Sequence, residues 1–562
     1  MYTTLCKTIS IILGTVLFMW STSWAQHSSV TDTSNKVTVV APYSPTISDA
    51  YKININPVIS DSVTPVVISS YTTYPKMINT TFKVEPIKPA KLVDEKISKL
   101  YRSLIKIGFG TLTTPYGEIW YNNLRSKSLL FGAHFNHFSS VGQIKGYGNS
   151  SFSDNDLDVY AGKYLKNMSV TGGLGYSRNV VHYYGFKPAD FPLDTITKDD
   201  IKQRFSLISG NVKLQSTSLD SSKIAYLVGL NYYNLNDFYN ATENGVHVSG
   251  DISKGVQFIK NARKQMFELT ADVDYFNYKF GVNSQNTHLV KLVPHYKVIL
   301  DEYSFNVGVN TSVSGDSSSE VHLYPVADVS INLVKDILIV YTGITGGVQM
   351  NSFKALTDEN PFVKSTVPMD FSYNKFEFFA GLKGNLSKNL AFNLSYIGST
   401  VKNMVLFVND TLFTLQNKFT TIYDDVDVTD IKAEFAYQKT EKIKLLFRAD
   451  YFQYSALHEL KAWHKPEMDV MFSLFYNIEN KIIAKVDIFA FDKEYARVFD
   501  NGKLEAKKLD GIIDANLSLE WRYTKVLSAF INFNNLGSSK YFRWNNYPSR
   551  RFNLLFGVSY AF

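Results

Sequence analysis

Ile513-Asp514-Ala515-Asn516-Leu517-Ser518-Leu519-Glu520-Trp521-Arg522-Tyr523 places six apolar residues at every second position and five polar ones between them. Successive side chains of a β-strand point to opposite faces, so this stretch reads as one strand with an oily face and a wet face. The same period recurs in Phe267, Leu269, Ala271, Val273 and Tyr275 against Glu268, Thr270, Asp272 and Asp274, and again at the C-terminus in Phe552, Leu554, Phe556, Val558, Tyr560 and Phe562. These runs reach ten residues or so, whereas strands of soluble proteins cluster near five or six. A tilted bilayer crossing needs about 9–11 residues.

Working outward, 22 such segments follow one another from 104–113 to 549–562, among them 389–405, 420–439 and 481–497. Every second connection is tight and polar, as at Ser126-Lys127, Lys166-Asn167, Ser387-Lys388, Asn480 and Thr524. The connections between are often long, as at 141–154, 185–200, 353–371, 406–419, 457–465, 498–507 and 536–548. Only the connection at 255–264 is longer than its place in the alternation predicts. Loops sorted by parity are the pattern of a membrane barrel, with short turns on one side and long loops on the other. Hydrocarbon offers the backbone no hydrogen-bond partner, so an all-strand protein crosses it only as a closed sheet. The expected fold is therefore all-β: a transmembrane antiparallel β-barrel of about 22 strands.

Composition agrees. Of 562 residues 45% are hydrophobic and 19% charged, with 36 Tyr and 40 Phe; disorder and coiled coil are excluded, and the aromatic surplus suits interfacial girdles. The net charge of +7 is small for this length and no long Lys/Arg run occurs, so nucleic acid is not an expected partner. Residues 1–25 read as a secretory signal: Lys7, then a mostly apolar Ile9 to Trp20, then Ser23-Trp24-Ala25 as a small-x-small cleavage site. The only cysteine, Cys6, leaves with it, which removes disulfides and thiol chemistry. From Gln26 to Ser103 the chain has no Gly and seven of its 16 prolines; from 104 onward it holds 30 of its 31 glycines. The domains read as signal peptide 1–25, a Pro-rich extended segment 26–103 that is non-globular and periplasmic or lumenal, and a barrel 104–562.

The last stretch carries Asn535-Leu536, Lys540-Tyr541, Tyr547-Pro548, Arg550, Gly557, Tyr560 and Phe562 in that order. It resembles the C-terminal signature of TonB-dependent outer-membrane receptors, and its final residues are similar to the signal by which the barrel insertion machinery recognises outer-membrane proteins. Val37, Thr38, Val39, Val40 and Ala41 look like the opening that precedes the receptor plug, with a TonB-box-like strand. The resemblance implies an outer-membrane location, contact with outer-membrane lipid, and solute transport with TonB as a partner. The chain departs from the family between 26 and 103, where 78 glycine-free residues are too few for a complete plug.

Motif chemistry is sparse. His134 and His137 lie three apart on a strand, on opposite faces, and so do not chelate one metal. No nucleophile elbow, phosphate loop or paired metal motif occurs, so neither enzymatic activity nor a cofactor is expected. Strand phase turns Asp272, Asp274, Arg448, Asp450, Lys485, Asp487, Glu520 and Arg522 into the lumen, where charges tune selectivity or hold a lumenal segment. Two functions follow: a channel or transporter for solutes with little or no plug, or a structural subunit of an outer-membrane complex that docks a periplasmic or lipoprotein partner through residues 26–103.

Overall fold

The computed structural model describes residues 100–562 apart from 125, 192–195, 218–222, 317 and 336. The signal at 1–25, Val37 to Ala41 and the rest of the segment up to 99 lie outside the described residues.

The strands are β1 (Ser103–Gly110), β2 (Thr114–Asn122), β3 (Leu129–Ser140), β4 (Phe152–Tyr164), β5 (Met168–His182), β6 (Lys202–Ser216), β7 (Ala225–Asn236), β8 (Thr242–Gly255), β9 (Lys264–Phe280), β10 (Asn283–Ile299), β11 (Tyr303–Gly315), β12 (Ser319–Val334), β13 (Leu338–Met350), β14 (Phe371–Ser387), β15 (Leu390–Asn409), β16 (Phe419–Lys439), β17 (Ile443–Ala456), β18 (Met468–Ile478), β19 (Ile482–Phe491), β20 (Glu494–Asp500), β21 (Lys503–Leu509), β22 (Ile512–Arg522), β23 (Leu527–Asn534), β24 (Phe542–Trp544), β25 (Tyr547–Pro548) and β26 (Asn553–Ala561). Twenty-two of them form one antiparallel sheet; β20–β21 and β24–β25 are small hairpins outside it. The sheet closes because β1 pairs with β2 on one side and with β26 on the other, from Leu104↔Ala561 to Gly110↔Leu555. No edge is left to be satisfied by solvent.

Alternation decides which face is which. Leu174, Val307, Val321, Leu323 and Ile513 are 61–72% exposed and stand on the outer face, a density of bare apolar side chains that water does not tolerate and lipid does. The residues next to them in sequence take the opposite, lumenal face and are mostly polar or small, as at Gly173, Asn306, Glu320, His322 and Asp514. Gly557 faces Gly108 in the seam, where a Cβ at 557 would sit 2.2 Å from the Ile107 carbonyl and meet the Phe530 ring. The seam strands approach closely because neither glycine has a side chain.

Both ends of the barrel chain leave at one rim, and the turns there are mostly short: 165–167, 300–302, 335–337, 388–389, 440–442 and 479–481. The opposite rim carries 141–151, 183–201, 351–370, 410–418, 457–467, 492–511 and 535–552. The anomalous turn at 256–263 is folded round Gln265, whose side-chain oxygen accepts from the Phe258 and Ile259 N–H groups at 2.8 and 2.9 Å and from the Tyr296 hydroxyl at 2.7 Å.

Three expected boundaries move. The 481–497 run breaks at Asp492-Lys493 into β19 and β20, and its supposed following loop, 498–507, is the rest of the β20–β21 hairpin. The 406–419 connection begins as strand, because β15 continues to Asn409. The 536–548 loop contains β24–β25.

Candidate functional site

β15 and β16 have 20 and 21 residues, well beyond one bilayer crossing. Their surplus forms a two-stranded tongue, and a bulge between Val401 and Met404 bends it away from the wall. Asn403 turns the chain there with φ of +66°, a conformation that Asn adopts more readily than other side-chain-bearing residues. Its side chain donates to the Asp370 carboxylate and the Phe371 carbonyl, both at 2.8 Å, and its N–H donates to Asp425 at 2.8 Å.

Beyond the bend alternation is lost and Met404 to Asn409 are all buried. One face of the tongue, with Phe407 and Phe419, shares an apolar cluster with Phe205 of β6, Leu235 of β7, Tyr278 of β9 and Leu289 of β10. The other face, with Met404, Leu406, Val408 and Val426, packs on Trp463. At the tip, the Asn417 side chain donates to the carbonyl of Tyr183 at 2.6 Å, immediately after β5. In a ring of 22 strands β5 and β16 stand eleven places apart, half the circumference. Nine residues at about 3.3 Å each let the tongue reach about 30 Å. The tongue therefore crosses the mouth at the loop rim and rests on the far wall. Each fully buried Phe or Leu on it contributes about 1.5–3 kcal/mol relative to exposure.

The other loops fasten it. Helix α1 (Phe353–Glu359) begins at Ser352, whose hydroxyl accepts from the Ala355 N–H at 3.2 Å. Its first N–H groups, at Phe353 and Lys354, donate to the two carboxylate oxygens of Glu243 on β8 at 2.6 and 3.0 Å, so a wall carboxylate satisfies donors that a helix start leaves free. Trp544 lies edge-on to Phe407 and Phe419, with centroids 5.3 and 5.5 Å away. His464 Nδ1 donates to the Phe407 carbonyl at 3.0 Å and its Nε2 accepts from the Asn545 N–H at 3.3 Å. Burial pushes this imidazole down to about 4. Glu494, at the start of β20, accepts from Arg543, but burial outweighs that cation and holds the carboxyl up at about 7.

The eight charges expected in the lumen alternate with apolar residues along their strands and are sorted into separate ion-paired groups. Arg448 Nε lies 3.0 Å from Asp450, and its Nη2 lies 2.9 Å from Asp469, with Lys432 3.5 Å from Asp450. Lys485 meets Asp487 at 2.7 Å, and Arg522 meets Glu520 at 3.4 Å. Asp274 and Asp272 flank His247 at 2.7 and 3.9 Å. These pairs lie on different strands and do not converge on one point. Among the described residues no cluster of His, Cys, Asp and Glu is arranged to hold a metal. His134 and His137 do face opposite ways, His134 stacking on Trp120 at 3.7 Å and His137 bonding Asn155 at 2.7 Å.

No sequence profile of a protein family matches the chain, and no curated protein matches it either. Solved structures do. The pyoverdine outer membrane receptor FpvA from Pseudomonas aeruginosa, bound to pyoverdine, is 11% identical, with 83% of this chain and 79% of that one covered and a TM-score of 0.62. The siderophore receptor PirA from Acinetobacter baumannii is 9% identical over 83% and 81%, at 0.62. The FrpB iron transporter from Neisseria meningitidis is 9% identical over 83% and 82%, at 0.64. These are TonB-dependent outer-membrane receptors. The fold is that of their barrel.

On this receptor-type barrel the signature residues fall into two groups. Gly557, Tyr560 and Phe562 belong to the seam and its short-turn rim, where the Phe562 carbonyl accepts from the Arg102 and Ser103 N–H groups at 3.0 Å each. Asn535, Leu536, Tyr541, Tyr547, Pro548 and Arg550 build the last loop of the closed mouth. Asn535 holds that loop together, donating to the carbonyls of Ser539 and Arg550 at 2.8 and 2.9 Å. The Leu536 N–H donates to the Ala515 carbonyl at 2.9 Å, and the Tyr541 hydroxyl to Asp514 at 3.0 Å. Tyr547 stacks on Phe362 at 3.8 Å and its hydroxyl donates to the Asn417 carbonyl at the tongue tip. The Pro548 carbonyl accepts from the Tyr184 hydroxyl at 3.1 Å. Arg550 donates to the carbonyls of Gly142 and Ser150 at 3.3 and 2.6 Å, tying this loop to 141–151. Sequence reasoning read 389–405 and 420–439 as strands but missed that their ends form a tongue; the one visible sign is the apolar Leu406-Phe407-Val408 inside the expected loop 406–419.

Proposed function

We propose that the protein is an outer-membrane transporter whose solute path runs through the barrel and is gated at the loop rim by the β15–β16 tongue. The observation that carries this reading is the tongue itself: an element bent off the wall, buried on both faces and seated on the opposite side of a charge-lined lumen. A purely structural barrel has no use for a mouth closed by a segment with a defined bend and tip. In the receptor orientation the short turns are periplasmic and the tongue faces outside. The loops, lumen and tongue are arranged for passage and binding, and we read the protein as a transporter with no catalytic role. Energised passage would engage TonB through Val37 to Ala41, and crosslinking that stretch to TonB tests the partner.

The gate is tested in planar bilayers. The purified protein is expected to conduct little, and deletion of residues 411–416 at the tongue tip is expected to produce open channels. A tip-deleted barrel that inserts normally and stays silent would sink the reading.

A further inference from the structure

Lys418 ends the loop at the tongue tip, and its ammonium is enclosed by rings. The centroids of Tyr239, Tyr183 and Phe413 lie 4.5, 4.8 and 4.8 Å from Nζ, which also donates to the Tyr239 hydroxyl at 3.5 Å. Phe413 belongs to the tongue, whereas Tyr183 and Tyr239 belong to the far wall, after β5 and after β7. Contacts other than the lysine also hold the two wall rings. Tyr183 is fully buried, donates to the Val363 carbonyl at 3.0 Å and accepts from Gln203 at 3.1 Å. Tyr239 donates to the Asp200 carbonyl at 3.2 Å. Asp237, 2% exposed, accepts from the Tyr239 and Ala241 N–H groups at 2.9 and 2.7 Å and fixes the turn that presents the ring. Burial pushes the Lys418 ammonium pKa down, and the Asp237 and Asp410 carboxyls partly offset that cost by favouring the cation. Two preset electron-rich faces with a buried carboxylate behind them form a site for a compact organic cation.

We propose that Tyr183 and Tyr239 form an alkylammonium-binding site on the barrel wall, that Lys418 occupies it as the latch of the closed gate, and that an amine-bearing solute releases the tongue by taking the lysine's place. This inference rests on the gating reading above and deepens it by naming the chemical class of the ligand. The lysine is tethered, so it competes at an effective concentration of about millimolar or more, and a free amine must exceed that. Release also frees Asn417 from the Tyr183 carbonyl, because both contacts sit at the same tip.

The test uses the full chain in planar bilayers with n-butylammonium chloride as probe and sodium chloride at equal ionic strength as control. Lys418→Gln and Tyr239→Leu are each expected to raise open probability about tenfold, the size of one partly desolvated cation–π contact. Butylammonium at tens of millimolar is expected to raise wild-type open probability saturably and to leave Lys418→Gln unchanged. If the tip deletion conducts while Lys418→Gln stays shut, the latch is wrong and the gate stands. If Lys418→Gln opens but wild-type protein ignores the amine, the ligand site is wrong. If the tip deletion itself is silent, the gate fails and the latch with it. Resistance of each variant to unfolding in unheated dodecyl sulfate establishes that the barrel has folded.

Discussion

His464 and Glu494 sit in the same closed mouth and titrate in opposite senses. The imidazole is neutral in the closed state and its pKa lies at about 4, below the ordinary 6.5, so the stability it contributes is complete above 6.5 and is lost as pH falls through 4. A shift of that size corresponds to about 3 kcal/mol at most. Glu494 is held up at about 7, so its contribution is complete below the ordinary carboxylate range and is lost as pH rises through 7. The two contributions oppose each other over the same range, so the wild-type gate is expected to change little with pH between about 4 and 7. His464→Gln keeps a donor for Phe407 and an acceptor for Asn545, and should uncover the Glu494 limb alone, with conductance rising as pH rises from the ordinary carboxylate range to 7. Glu494→Gln should uncover the His464 limb alone, with conductance rising as pH falls from 6.5 to 4. Variant profiles as flat as that of the wild-type protein would contradict both assignments. Neither role was legible in the sequence. Ten histidines are scattered along the chain, and what distinguishes His464 is complete burial against residues more than fifty positions away.

At the scale of the element, the tongue depends on one bend. Asn403 combines a left-handed backbone with three hydrogen bonds to Asp370, Phe371 and Asp425. Asn403→Ala removes the side-chain bonds and strains the backbone, an expected cost of about 1–3 kcal/mol. The closed tongue should open more often and the exposed loop at 410–418 should be cleaved faster in limited proteolysis, while the 22-stranded wall stays intact. An unchanged cleavage rate would show that the bend is set elsewhere. The same element marks where the sequence stops being readable. β22 announces itself because one face meets lipid and the other water, so Ile513 to Tyr523 alternate. Met404 to Asn409 are covered on both faces, the period vanishes, and from Leu406 onward the stretch passes for loop. Breaks misled in the other direction: β19 and β20 share one alternating run, and only the Asp492-Lys493 corner separates a wall strand from a hairpin at the mouth. The tip is hidden for a different reason, since two of the three rings round Lys418 come from Tyr183 and Tyr239, some 180 residues or more earlier.

For the whole molecule, strand number, antiparallel order, and the sorting of turns and loops by rim could all be read from period and parity, because a closed sheet in hydrocarbon leaves the backbone no alternative. What period could not show is that the loop rim is shut, because that closure is made by long-range packing between half a dozen loops. The seam adds a temporal consequence. β1 is the first wall strand to be made and β26 the last, and the carbonyl and N–H of the final residue, Phe562, complete the pairing with Ser103. Until β26 has been synthesised, the sheet is a strip with two raw edges. Removal of residues 553–562 is accordingly expected to leave a protein that is exported yet never becomes resistant to dodecyl sulfate. Gly557→Val should fall between, since its side chain must displace the Ile107 carbonyl, at a cost of about 1–3 kcal/mol. The β26 strand thus acts as a completeness check: a chain cut short before it has no ring to close, and only one that carries it can become watertight.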